Sequence, residues 1–208
     1  SYPGAEEICT SGCSAEGVDN DCDGTADEGR GLVHSGVISA DETWDATTDH
    51  YVACDVWVHD TSGPVLTIED GAVVYFADGT GIYVGFSAAG DVDVQGTSAG
   101  VRFEPAPTAT TFDGLHLFYY ATGSVIEGLT IDGGGYNSSY PAAIYISQAD
   151  VEITDSTLDG SDRHGMYIYN AEPLITGTTI QNAASNGIYC ASTSCLDSTE
   201  ASFIDNTI

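Results

Sequence analysis

The chain has 208 residues, 42% of them apolar, and a formal charge of −29 set by 32 acidic side chains against three arginines and no lysine. That is enough apolar material for one or two cores, but it leaves no cationic surface to displace phosphate counterions or to dock on anionic lipid. Nucleic-acid binding and membrane insertion are therefore not expected. Cations are the natural partners: some carboxylates are expected to ligate calcium and most to form a solvated coat. Six cysteines, an even set, indicate disulfides and an oxidising compartment. The chain carries no apolar run of transmembrane length, and Ser1 reads as a processed or trimmed start.

In chain order, residues 1–30 come first, rich in Cys, Asp and Gly with little to bury. Within them Asp19-Asn-Asp21-Cys-Asp23-Gly24-Thr25-Ala-Asp27-Glu28-Gly29 places acidic side chains at alternate positions before a glycine. This pattern folds a loop around one hard cation. Asp19, Asp21 and Asp23 supply carboxylate oxygens, Thr25 a backbone carbonyl, and Asp27 a direct or water-mediated ligand. An EF-hand loop has a bidentate Glu at its twelfth position; here that residue is Arg30, so Glu28 or a distant carboxylate must complete the shell. With no thioether or imidazole ligands, calcium is the expected ion. Together with Tyr2-Pro3-Gly4-Ala5-Glu6-Glu7-Ile8-Cys9, the segment resembles a short metal-binding motif of bacterial secreted and surface proteins. The resemblance implies a disulfide to Cys22. Its spacer here is longer and carries Cys13, so either Cys9 or Cys13 is that partner and the other is free to reach Cys54.

From residue 31 to 208 the text reads strand, turn, strand, with no sustained 3.6-residue periodicity. One motif recurs as Ser124–Ile131, Asp150–Leu158, Pro173–Ile180 and Ala201–Ile208. A second recurs as Ala143–Ile146, Gly165–Ile168 and Gly187–Tyr189. Ile144, Met166 and Ile188 are 22 residues apart, as are Leu158 and Ile180. The extra length falls in two turns, Gly133–Pro141 and the stretch holding Cys190 and Cys195. A fixed period with insertions confined to turns is the mark of a solenoid. Scarce leucine disfavours a leucine-rich repeat, and the regular spacing disfavours a β-sandwich. About six coils, at roughly 4.8 Å each, give a rod on the order of 30 Å long. From about residue 50 this body resembles the right-handed parallel β-helix superfamily, in particular the pectate-lyase-like repeats of bacterial surface proteins. The expected architecture is all-β: a disulfide-stapled calcium-binding head (1–30) before a parallel β-helix (31–208). Cys190 and Cys195 are expected to close a local loop, the alternative being a partner further downstream.

The second motif sets Tyr145, Tyr167 and Tyr189 in register on the face opposite the apolar positions, and looser alignment adds Tyr83 and His116. Such a ladder either stabilises neighbouring coils or packs on a glycan or another subunit. A catalytic alternative gathers Asp155, Asp159, Asp162 and His164, but a shift of 22 sets Asp155 opposite Gly177 and Asp159 opposite Gln181, so no acidic column follows. Arg163-His164-Gly165 only faintly resembles the Gly-His-Gly of polygalacturonases. Asn137-Ser138-Ser139 is a glycosylation sequon on an expected surface turn. Phe203–Ile208 reads as a strand in mid-pattern, so either the natural protein continues or a second copy covers that end, and the expectation is head-to-tail stacking of copies into a filament. The expectation is a secreted, non-catalytic structural or adhesive protein that self-associates, the alternative being a polysaccharide-binding or polysaccharide-cleaving module.

Overall fold

The computed structural model describes residues 31–191, the backbone of 202–204, and residues 207–208. Among the described residues nineteen strands wind as a parallel solenoid. β1 (Leu32–Ile38) and β2 (Glu42–Trp44) make a first coil, and β3 (His50–Val58) and β4 (Val65–Ile68) a second. Three-strand coils follow: β5 (Val73–Phe76), β6 (Gly81–Val84), β7 (Asp91–Gln95); β8 (Val101–Pro105), β9 (Gly114–Leu117), β10 (Val125–Glu127); β11 (Leu129–Asp132), β12 (Ala142–Ser147), β13 (Glu152–Thr154); β14 (Thr157–Asp159), β15 (His164–Tyr169), β16 (Leu174–Thr176). β17 (Thr179–Gln181), β18 (Ile188–Cys190) and β19 (Ser202–Ile204) complete the last. Against about six coils expected over residues 31–208, the strands make six from β3 onward, and β1 with β2 adds one in front.

Every strand pair is parallel, which removes the β-sandwich alternative. The strands stack into three walls. β5, β8, β11, β14 and β17 form wall A, and β6, β9, β12, β15 and β18 form wall B. β3 joins the two, pairing β5 through residues 50–52 and β6 through residues 56–58. Wall C is β2, β4, β7, β10, β13, β16 and β19.

Alternation along each strand sends every second side chain inward, where it meets its counterpart from the next coil. Wall B contributes the column Val56, Ile82, Leu115, Ile144, Met166, Ile188, and wall C contributes Trp44, Ile68, Val94, Ile126, Ile153, Ile175. With Phe76, Phe103, Ile131 and Leu158 from wall A they form one continuous apolar core. The first coil fills its interior differently. His50 Nε2 lies 2.9 Å from the Asp45 carbonyl, which can only accept, so its Nδ1 accepts from His34 Nε2 at 2.9 Å. Trp44 stacks on His34 at 4.1 Å and donates its indole N–H to Glu42. Burial and the nearby His50 push His34 down to about 4.

In the last three corners from wall C to wall A the chain turns on a residue at positive φ: Gly128 (62°) alone, Asp155 (49°) with Ser156, and Gly177 (62°) with Thr178. Each therefore splits what reads as one motif of eight or nine residues into two strands set on different walls. Behind this corner Ser156 is buried, donates to the Thr154 carbonyl and accepts the Leu129 amide.

Many carboxylates hold consecutive coils together. Asp41 accepts the amide of Val65, Asp55 that of Gly81, Asp70 those of Ser98, Ala99 and Gly100, and Asp78 those of Thr110 and Thr111. Asp91 accepts Gly123 N–H and Asp150 accepts Glu172 N–H, while Asp159 takes the side-chain amides of Gln181 and Asn182. The acidic coat expected from composition is thus in part a set of fastenings for turn backbone that would otherwise lack partners.

Cys54 and Cys190 are disulfide-bonded. Cys54 lies between the wall A and wall B pairings of β3 and Cys190 ends β18, five coils on and about 24 Å away at the rung spacing, too far for the two to bridge each other, so their partners fall outside the described residues. The pairings expected among Cys9, Cys13, Cys22, Cys54, Cys190 and Cys195 also lie outside them.

Candidate functional site

The outward positions of wall B form one column. Backbone register aligns Val37, Trp57, Tyr83, His116, Tyr145, Tyr167 and Tyr189, one per coil. Ring centroids are separated by 4.3 Å (Trp57–Tyr83), 4.6 Å (Tyr83–His116), 6.2 Å (His116–Tyr145), 5.1 Å (Tyr145–Tyr167) and 5.1 Å (Tyr167–Tyr189). All five residues expected in the ladder are in it. Trp57 belongs as well, and the signal was available: Val56-Trp57-Val58 repeats the apolar–aromatic–apolar triplet of Ile82-Tyr83-Val84 and Leu115-His116-Leu117.

The expectation of an exposed stripe needs correction. Tyr83 is 2% exposed and His116 is fully buried, whereas Tyr145 and Tyr167 are half-buried and Tyr189 is 42% exposed. The cause is the long turn between β11 and β12, residues 133–141. It folds over the column and sets Tyr140 within 6.1 Å of Tyr83, 5.3 Å of His116 and 5.1 Å of Tyr145, with Phe118 packed alongside at 5.2 Å. His116 has neither ring nitrogen hydrogen-bonded, and burial pushes it down to about 3, so the ring is neutral.

Beside the covered rings lies the polar part of the site. Tyr83 donates its hydroxyl to Asp113 Oδ2 at 2.7 Å, and Asn137 Nδ2 donates to the same oxygen at 2.7 Å. Burial, reinforced by the hydrogen bond to and the charge of Asp113, raises the Tyr83 phenol far above its ordinary range. Burial also raises the Asp55 carboxyl; the Gly81 amide opposes this and the Asp113 charge adds to it. Asn137 Oδ1 accepts the amides of Ser139 and Tyr140, so both ends of the sequon side chain are engaged. A glycan on Asn137 would attach at the nitrogen that faces Asp113, so the amide is engaged rather than a free surface acceptor. A cleft of about 390 Å³ opens here, lined by Gly79, Asp113, Tyr136, Asn137, Ser138 and Arg163, which come from the wall A to wall B turns of four successive coils. Among the described residues the one arginine in an ion pair is Arg102, with Glu104, which leaves the Arg163 guanidinium available to the cleft. A carboxylate, an amide, a hydroxyl, a guanidinium and an exposed tyrosine ring together suit a hydroxyl-rich ligand.

The residues of the alternative acid cluster sit on different parts of one coil. Asp155 sits in the corner from wall C to wall A, Asp159 on wall A, Asp162 in the following turn and His164 at the start of β15, stacked on Tyr189 at 4.9 Å. Asp159 does face Gln181, as the spacing required, but it also stands beside Asp132 of the preceding coil. The cation ligands Asp19, Asp21, Asp23, Thr25, Asp27 and Glu28 lie outside the described residues; among the described residues no group of three or more His, Cys, Asp or Glu is placed to hold a metal.

No curated protein and no solved structure matches the chain. The family model described as the right handed beta helix region matches residues 47–208, more than three quarters of the sequence, and the chain belongs to that family.

Proposed function

We propose that the protein is an extracellular, non-catalytic structural or adhesive module of a bacterial surface, which self-associates through the open part of its aromatic column. Its amino-terminal head binds calcium through Asp19, Asp21, Asp23, Thr25, Asp27 and Glu28. Disulfides close Cys190 to Cys195 and tie Cys22 and Cys54 to Cys9 and Cys13. The reading rests chiefly on the column: below the Tyr140 cover, Tyr167 and Tyr189 continue as an aromatic stripe beside Tyr169, itself 39% exposed, on an otherwise acidic surface. Stripes of this kind pack against other surfaces. Multi-angle light scattering and electron microscopy with calcium are expected to show species larger than the monomer, diminished by Tyr167→Ala with Tyr189→Ala. A monodisperse monomer with calcium present would overturn the reading.

The cleft favours a second reading, a polysaccharide-binding or polysaccharide-cleaving module, because Asp113 lines it and the neighbouring Asp55, outside the lining, carries a raised carboxyl. Glycan-array binding lost in Asp113→Asn and Arg163→Ala would support binding, and release of shortened sugars from a polysaccharide would support cleavage.

A further inference from the structure

His116 is a buried polar side chain that nothing satisfies: it is 0% exposed and neither Nδ1 nor Nε2 has a hydrogen-bond partner. Native interiors rarely tolerate this without a reason. What hides the ring is one turn. Residues 133–141 leave wall A through three consecutive glycines at positive φ, Gly133 (99°), Gly134 (79°) and Gly135 (82°), a geometry open to glycine and strained for other residues. Tyr140 then lies over the column through ring contacts, and its hydroxyl makes no hydrogen bond among the described residues. The glycines are fastened on both sides: Gly133 N–H donates to the Asp159 carbonyl at 2.7 Å, Gly135 N–H to the Asp113 carbonyl at 2.9 Å, and the Gly134 carbonyl accepts from Asp162 N–H at 2.9 Å and Ser161 Oγ at 3.2 Å. Residues 136–141 are tied more sparsely, by Tyr136 N–H to the Phe112 carbonyl at 3.2 Å, Asn137 Nδ2 to Asp113 Oδ2 at 2.7 Å and the Tyr83 hydroxyl at 3.3 Å, and His164 N–H to the Pro141 carbonyl at 3.2 Å, so lifting the cover must break these bonds.

We propose that residues 136–141 are a cover hinged at Gly133–Gly135, which acid lifts because the imidazole it hides takes up a proton once water reaches it. Covered, His116 is held down to about 3 by burial; uncovered, it returns to its ordinary 6.5. Above pH 6.5 neither form is charged and the cover stays shut. Between pH 6.5 and 3 only the open form binds the proton, so acid shifts the balance toward it. The open-to-closed ratio should rise roughly 30-fold between pH 7.5 and 5.0. The titratable groups facing His116 are the phenols of Tyr83 on β6, Tyr145 on β12 and Tyr140 on the cover. Burial raises those of Tyr83 and Tyr145. Asp113 reaches the same seam through the Tyr83 hydroxyl, and Asp55 lies behind it.

Hydrogen exchange of the full chain at pH 7.5 and 5.0, corrected for intrinsic rates, tests this at the amides of Gly135 and Tyr136, with β12 as internal reference. Their protection is expected to fall roughly 30-fold while β12 holds, and His116→Phe is expected to abolish the difference. Unchanged protection in the native chain overturns the proposal. So does pH dependence that survives in His116→Phe, since that would assign the effect to Asp113 or Asp55. Should His116→Phe not fold, Tyr140→Ala serves: it is expected to expose these amides already at pH 7.5 and to reduce the pH effect below threefold. A pH effect of native size in Tyr140→Ala overturns the proposal equally.

Discussion

Tyr83 and His116 occupy the same strand position, on the same wall and in the same register, as Tyr167 and Tyr189, yet the first pair is sealed and the second meets solvent. Nothing in the strands separates them. The difference is the turn preceding β12, which is long enough to double back across wall B, whereas the turns preceding β15 and β18 leave the rings below uncovered. Strand register decides which side chains form a column, and turn length decides whether that column serves as interior or as surface. Rings that look equivalent in a repeat therefore differ in their physical roles.

The largest expected effect comes from cutting the sealed half. Tyr83→Ala removes a buried ring and should cost about 3–5 kcal/mol in denaturant unfolding, as aromatic-to-alanine changes in cores do. A cost below about 1 kcal/mol would show that the cover does not seal the column. Tyr83→Phe keeps the ring and removes only the hydroxyl that bonds Asp113 Oδ2; leaving that acceptor short of a donor should cost about 1–3 kcal/mol. Acid titration of stability sharpens the comparison further. His34 and His116 are held below their ordinary value when folded, to about 4 and about 3, so the unfolded chain takes up protons first and stability falls as pH drops below 6.5. The fastening carboxylates act in a lower window. Side-chain and backbone donors hold Asp70 and Asp159 down, and the Thr110 and Thr111 amides hold Asp78 down. Their contribution is present above the ordinary carboxyl range and is lost as pH falls through their depressed values. His116→Phe should flatten the upper stretch of the curve and Asp70→Asn the lower one, measured by thermal melts across pH. Smallest of all, Tyr189→Ala in the open half should stay within about 0.5 kcal/mol. A cost matching that of Tyr83→Ala would break the comparison.

The periodicity carried the fold further than it carried the site. Spacings of 22 residues gave parallel coils and placed Tyr83, His116, Tyr145, Tyr167 and Tyr189 in one column, because register in a solenoid is a counting property. The third wall was hidden, since one residue at positive φ turns the chain between β10 and β11, and the text continues as though it were a single strand. Residues 133–141 could be counted as an insertion, but counting does not say that they fold inward over the rings. Asp113 and Asn137 belong to no repeat. They become neighbours only because turns of adjacent coils stack, and no local pattern announces that contact. The sequon at Asn137 misleads for the same reason: the tripeptide is local, and the bonds that occupy it are not.

The carboxylates that fasten turns share a direction, although Asp113, which accepts the Tyr83 hydroxyl from the coil before it, runs the other way. In each of the seven the acid sits on the earlier coil and the donor on the later one, from Asp41 with Val65 to Asp159 with Gln181. A finished rung thus offers ready acceptors to the next turn, and a rung forming ahead of its predecessor finds none. Such a polarity favours winding in the direction of synthesis, each new loop settling onto anions already fixed in place.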